Sequence, residues 1–130
     1  KSTGRDLFNP TWLASHLGSH NNAAAADVQA TLCDYTAQVC AQDFLKYAAQ
    51  AGELIVCGGG ALNLFLMQRL ASGLPGVRVS SSEAHGLPPL QVEAAAFAWL
   101  AYKAVHRETA SLKSVTGAQG ARVLGAIYPR

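Results

Sequence analysis

Leu54-Ile55-Val56-Cys57-Gly58-Gly59-Gly60-Ala61-Leu62-Asn63 decides how this chain is read. Leu54 through Cys57 is an unbroken apolar run between Gly52 and three glycines, the pattern of a strand buried on both faces and therefore parallel to its neighbours. The glycines have no β-carbon, so they allow a positive φ and let another group approach the main chain closely. The chain then passes directly into a helix over 63–70, with Leu66 and Leu70 on its buried side, ending at Ser72-Gly73. A helix N-terminus offers unpaired N–H groups and a partial positive charge, which suits phosphate or ribose oxygens. Open α/β sheets take ligands at the carboxyl ends of their parallel strands.

Working outward, Val77-Arg78-Val79-Ser80 alternates as a second strand, and after Gly86-Leu87-Pro88-Pro89 a helix is expected over 90–105. Val92, Ala96, Trp99, Leu100 and Lys103 recur along it at helical spacing. Toward the N-terminus, Asn9-Pro10 opens a short helix, with Asn as N-cap and Pro at the first helical position, broken by Gly18, Ser19, Asn21 and Asn22. The alanines at 23–26 lead into a long helix that should stop near Gly52, with Val28, Leu32, Tyr35, Val39 and Phe44 on its inner face. The tail turns at Ser114-Val115-Thr116-Gly117 toward a last apolar stretch over 123–128. Helix, strand, helix, strand, helix is the order of an α/β layer with parallel strands. Two or three short strands are few for so much apolar sequence, so further strands from outside this chain are expected beside them.

Composition narrows the class. The 130 residues are 50% hydrophobic and 14% charged, which excludes intrinsic disorder. A net charge of +2, with the basic residues scattered, gives no basis for nucleic-acid or membrane attraction. No apolar run reaches the ~18 residues of a membrane span. Three cysteines without CxxC spacing make neither a disulfide framework nor a zinc site, and a reducing cytoplasm is the expected setting. The opening Lys1-Ser2-Thr3-Gly4-Arg5 lacks a Met, a basic leader and an apolar signal core, so the chain is expected to be part of a longer protein.

Several readings of the chemistry stay open on the residues alone. The glycines at 58–60 serve either a ligand or a tight turn that needs glycine for packing. In a dinucleotide fold, Gly58-x-Gly60 calls for a third small residue at position 63, where Asn63 stands. Glu83, just past the second strand, nevertheless sits roughly where a ribose-binding acid would. The competing site meets adenosine rather than pyrophosphate, with Asn63 as helix cap or as amide donor to the nucleoside. Glu93, among Ala94, Ala95 and Ala96, is either a first-turn acid favoured by the helix dipole or a ligand contact. His16 and His20 read as surface or capping residues, His85 and His106 stand alone, and Ser80-Ser81-Ser82 reads as a strand-end loop. Cys33 and Cys40 read as small hydrophobes, and Cys57 ends a buried strand with no paired base.

Four separated blocks then fall in one order: 1–9, Lys-Ser-Thr-Gly-Arg-Asp-Leu-Phe-Asn; 56–63, with Gly58-Gly59-Gly60-Ala61-x-Asn63; 92–101, from Val92-Glu93-Ala94 to Trp99-Leu100-Ala101; and Ser114-Val115-Thr116-Gly117-Ala118 with 123–129. Together they resemble the C-terminal third of the anhydro-N-acetylmuramic acid kinases, a family of the actin, sugar kinase and Hsp70-like ATPase superfamily. The resemblance implies a partial ribonuclease-H-like (actin-like ATPase) lobe, with short, mostly parallel strands and flanking helices, over 1–130. It implies phosphorylation of 1,6-anhydro-N-acetylmuramic acid by ATP with Mg2+, water opening the anhydro bridge, to give N-acetylmuramic acid 6-phosphate in cytoplasmic cell-wall recycling. Gly58, Gly59, Gly60 and Asn63 match the family's adenosine-side loop, and Glu93 matches an acid near the sugar. The partners it implies are the amino sugar, the family's N-terminal lobe and, at an open sheet edge, a second copy. Two departures stand out: Leu62 replaces the His or Arg often found there, and 106–113 replaces a Gly-Leu-Pro-Gly-Asn-Leu-Pro approach to Ser114. The phosphate loop and catalytic Asp are expected upstream of Lys1, so this piece alone should be inactive and has no catalytic residue of its own.

Overall fold

The computed structural model describes residue 4 and residues 6–20 and 22–128. Lys1, Ser2, Thr3 and Arg5 of the opening block, Asn21 of the helix break and Pro129 of the closing block lie outside the described residues. The elements are α1 (Pro10–Leu17), α2 (Ala25–Tyr47), β1 (Glu53–Val56), α3 (Leu64–Gly73), β2 (Arg78–Ser81), α4 (Val92–Val105) and α5 (Lys113–Thr116). They fall into two compact units, Lys1–Thr36 and Ala37–Arg130.

In the first unit α1 starts as its sequence dictates. The Asn9 side-chain oxygen accepts from the Trp12 N–H at 2.9 Å, and Pro10 follows at a position where no N–H is needed. Phe8 meets Trp12 edge-on at 5.1 Å between ring centroids, and Trp12 lies against the His16 imidazole at 4.4 Å. His16 Nδ1 is 2.8 Å from the Trp12 carbonyl one turn back, so it donates there, and the histidine is exposed, the surface position that was one of its two expected roles. Trp12, Leu13, Leu17, Val28 and Leu32 line an apolar groove between α1 and the start of α2.

The second unit is built on a β-α-β crossover. β1 and β2 pair in parallel, with Glu53 opposite Arg78, Leu54 opposite Val79, Ile55 opposite Ser80 and Val56 opposite Ser81. Alternation puts Glu53, Ile55, Arg78 and Ser80 on one face of this two-stranded sheet. The parallel pairing agrees with expectation, but burial on both faces does not: Ile55 is 48% exposed. Ser80 on the same face is buried, so the cover among the described residues reaches it but not Ile55. Cys57, expected to be hidden, is exposed, and so is Cys40. Ser80 and Ser81 belong to β2 itself, while Ser82 begins a short 3-10 turn, Ser82–His85.

Leu70 and Leu74, with Ala37, Ala41 and Ala61, form the buried apolar core among the described residues. The inner face of α2 agrees with expectation at Val28, Leu32 and Phe44, which are half-buried, but not at Tyr35 and Val39. Ala37 and Ala41 face inward with Phe44 and Ala48 half-buried, while Tyr35 and Val39 are exposed. A β-carbon placed on Gly73 of α3 would sit 3.1 Å from the Ala41 β-carbon. At so close an approach only alanine and glycine fit, so the small-residue stripe is inside and the larger side chains are turned out.

α4 starts after a 3-10 turn at Pro89–Gln91, two residues later than its apolar pattern suggested. It is apolar around most of its circumference, yet none of its residues is buried. Val92, Leu100 and Lys103 are half-buried, while Ala96 and Trp99 are exposed. A helix of this composition belongs inside a larger core. Beyond it, the atypical 106–113 segment is tied down: Glu108 pairs with Lys103, Ala110 N–H donates to the Arg122 carbonyl at 3.1 Å, and Arg122 N–H donates to Ser111 Oγ at 2.8 Å. The closing apolar stretch 123–128 forms neither helix nor strand.

Candidate functional site

Each of the three glycines at the end of β1 has a different reason to be there. Gly58 has φ +71, a conformation in which an L side chain is strained, and its N–H donates to the Pro89 carbonyl at 2.9 Å. At Gly60 an added β-carbon would meet Leu66 Cδ2 at 3.2 Å, so packing restricts that position. Gly59 has neither constraint. Its φ lies outside the positive region, and an added β-carbon would meet nothing within 4 Å. Among the described residues nothing calls for glycine at 59, and the surface it presents is main chain open to solvent.

The turn does not feed straight into the helix. A 3-10 turn, Gly59–Leu62, intervenes, and Asn63 caps α3 by accepting from Leu66 N–H at 3.1 Å. The Leu66 donor of the helix start is thus taken by the cap. Ala61 N–H donates to the Gly58 carbonyl and Asn63 N–H to the Gly60 carbonyl, so these two donors are also taken up inside the motif. At Gly59 the main chain itself is exposed and open to close approach. Replacing Asn63 with Ala should cost about 1 kcal/mol of stability by removing the cap, whereas Asn63→Asp keeps the acceptor. Urea melts of the two variants check this, and equal loss in both would show that the cap contributes nothing.

Glu93 lies in the first turn of α4 and is exposed. The 3-10 turns at Gly59–Leu62 and Pro89–Gln91 are in contact, so the segment entering α4 lies beside the glycine turn. Glu83 is in the Ser82–His85 turn with its N–H on Ser81 Oγ, not in the glycine turn. Leu62 is 61% exposed, an apolar side chain at the surface beside the glycine turn. Among the described residues no group of three potential ligands is placed to hold a metal, and no helix is long and apolar enough to cross a membrane.

One cluster escaped sequence reasoning. Glu53 Oε1 accepts from Ser80 Oγ at 2.6 Å and lies 3.1 Å from His85 Nε2 and 3.4 Å from Arg78 Nε. His85 is thus not alone. The residues are remote in sequence and meet only through the parallel register, although an acid opening an apolar strand was a hint. The Ser80 hydroxyl holds the Glu53 carboxyl below its ordinary value, followed by the His85 hydrogen bond; partial burial opposes them, and the charges of His85 and Arg78 add to the lowering. Acid protonates the unfolded chain first, so this contribution is present above the unfolded-state pKa and is lost as pH falls through the lowered folded value. Between roughly pH 5 and pH 3, the wild-type melting temperature should fall more steeply than that of Glu53→Gln. Parallel curves would remove Glu53 from the acid response.

These features define a class: an α/β chain with a solvent-facing backbone turn at the carboxyl end of a parallel strand. A family model described as anhydro-N-acetylmuramic acid kinase matches residues 1–130. The anhydro-N-acetylmuramic acid kinase of Variovorax paradoxus is 65% identical over 129 residues, covering 99% of this chain and 34% of the relative. That of Albidiferax ferrireducens is 60% identical, covering 99% and 33%, and that of Cupriavidus pinatubonensis is 55% identical, covering 100% and 35%. The chain belongs to the anhydro-N-acetylmuramic acid kinase family and spans about a third of the length of these curated relatives. The dinucleotide-module alternative is not supported: its third small residue is a capping Asn, and no comparison points to it.

Proposed function

We infer that this chain is the C-terminal part of the second lobe of a sugar kinase that uses ATP to phosphorylate 1,6-anhydro-N-acetylmuramic acid. Water opens the anhydro bridge, and the products are N-acetylmuramic acid 6-phosphate and ADP, a step of cell-wall recycling in the cytoplasm. The observation that carries this reading is the family match along the whole chain. Gly58, Gly59, Gly60 and Asn63 form the adenosine side of the nucleotide site. The open space over Gly59 leaves room for a nucleoside against the main chain. Glu93 approaches the sugar hydroxyls from the segment beside that turn.

The phosphate loop and the carboxylate that activates water belong to the rest of the longer protein, which also holds Mg2+. That ion supplies neutralisation of the phosphate charge. The residues described here would position the nucleoside and one side of the sugar. Ile55, Phe97, Trp99 and Tyr102 expose apolar surface that the remaining lobe covers; a second copy at the open strand edge is the other partner the reading allows. The test is ADP release by the longer protein, measured with and without the anhydro sugar. Sugar-dependent ADP formation is expected from it, and none from residues 1–130 alone. A longer protein that makes no ADP with this sugar would overturn the reading.

A further inference from the structure

Two segments of the second unit are joined at two places. At one, the Glu53 carboxylate at the start of β1 takes the Ser80 hydroxyl at 2.6 Å and His85 Nε2 at 3.1 Å. At the other, just past β1, Gly58 N–H donates to the Pro89 carbonyl at 2.9 Å. Residues 53–58 and 80–89 are thus closed into a ring, one link made by side chains and the other by main chain. Among the described residues β1 pairs with β2 over four residue pairs. The side-chain link lies at the start of that ladder and the main-chain link just past its end, so together they hold both ends of β1 against the 80–89 segment.

We propose that Glu53 is a positioning residue for the nucleotide turn: its carboxylate, by holding Ser80 and His85, fixes the 58–60 main chain against the Pro89 segment. This deepens the kinase reading and rests on it for the nucleotide, but the link itself stands on this chain's geometry. The charged and titratable groups facing Glu53 are Arg78 on β2 and His85 in the turn that follows it. Ser80 is the neutral donor and is buried. Glu53 touches no reacting atom in this account. It acts through the backbone it anchors.

The experiment compares wild-type longer protein with Glu53→Ala, Ser80→Ala and Ser80→Thr, by amide hydrogen exchange and by steady-state kinetics. Cutting the link should speed exchange of the Gly58 and Ala61 amides by about tenfold or more, the effect of losing one charge-assisted hydrogen bond. Amides in the middle of α4 should stay within about twofold, since opening is local. KM for ATP should rise severalfold with kcat nearly unchanged, and Ser80→Thr, which keeps the hydroxyl, should restore both. If Glu53→Ala does not fold, Ser80→Ala removes the shortest contact and decides the matter. Unchanged exchange at the turn, or equal acceleration in the turn and α4, overturns the proposal. Should wild type lack kinase activity, the kinase reading fails, and the exchange comparison still decides whether Glu53 positions the turn.

Discussion

Gly59→Val in the longer protein should raise KM for ATP at least about tenfold, with the melting temperature within a few degrees of wild type. The separation of the two effects is what gives this substitution its force. At Gly58 any side chain is strained by the positive φ, and at Gly60 it meets Leu66, so loss of function at either would be confounded with loss of structure. At Gly59 an added side chain enters open space from an ordinary backbone conformation. Folding has little to lose there. A nucleoside lying on the main chain would be displaced by two methyl groups, because the close approach that glycine permits is gone. ATP kinetics and a thermal melt on one preparation settle it. An unchanged KM would remove the turn from the nucleotide site, and a collapsed melting temperature would make Gly59 a structural glycine after all.

The largest stability effect is expected at Leu74. It is 1% exposed and, among the described residues, the largest fully buried side chain, at the point where α3 hands over to β2. Truncation to alanine removes its packing and leaves a cavity, at a cost of about 2–5 kcal/mol. Against a typical domain stability of roughly 5–15 kcal/mol, that is a large share. Leu64→Ala, at a position 76% exposed on the same helix, is the control and should stay within about 0.5 kcal/mol. Denaturant midpoints with matched slopes measure both. Equal shifts in the two variants would mean that Leu74 does not anchor the crossover.

Local signals were the legible ones. Asn9-Pro10 announced α1, Gly73 closed α3, and the apolar run before 58–60 announced a parallel strand, because caps, breakers and short apolar runs act over a few residues. The inner face of α2 was misread at two positions. Hydrophobic size favoured Tyr35 and Val39, whereas Gly73 brings α3 so close at Ala41 that a small side chain faces inward there. Burial of β1 was overestimated for a related reason: an apolar strand advertises the cover it needs, not the cover this chain provides.

The candidate site divides in the same way. The positions of Gly58, Gly59, Gly60, Asn63 and Glu93 were visible in the sequence, because glycine content and helix starts are local properties. That Gly58 needs its positive φ, Gly60 needs its space and Gly59 needs neither was not visible, since these distinctions depend on neighbours brought from elsewhere. The family, the order of the elements and the place of the turn could be read from the residue pattern before any coordinates. Only the folded chain decided that Gly58 reaches the Pro89 carbonyl, and that Glu53, Ser80, Arg78 and His85 converge. Local conformational preference is written residue by residue, whereas a contact between positions 27 or 32 residues apart exists only once the register of two strands has been chosen.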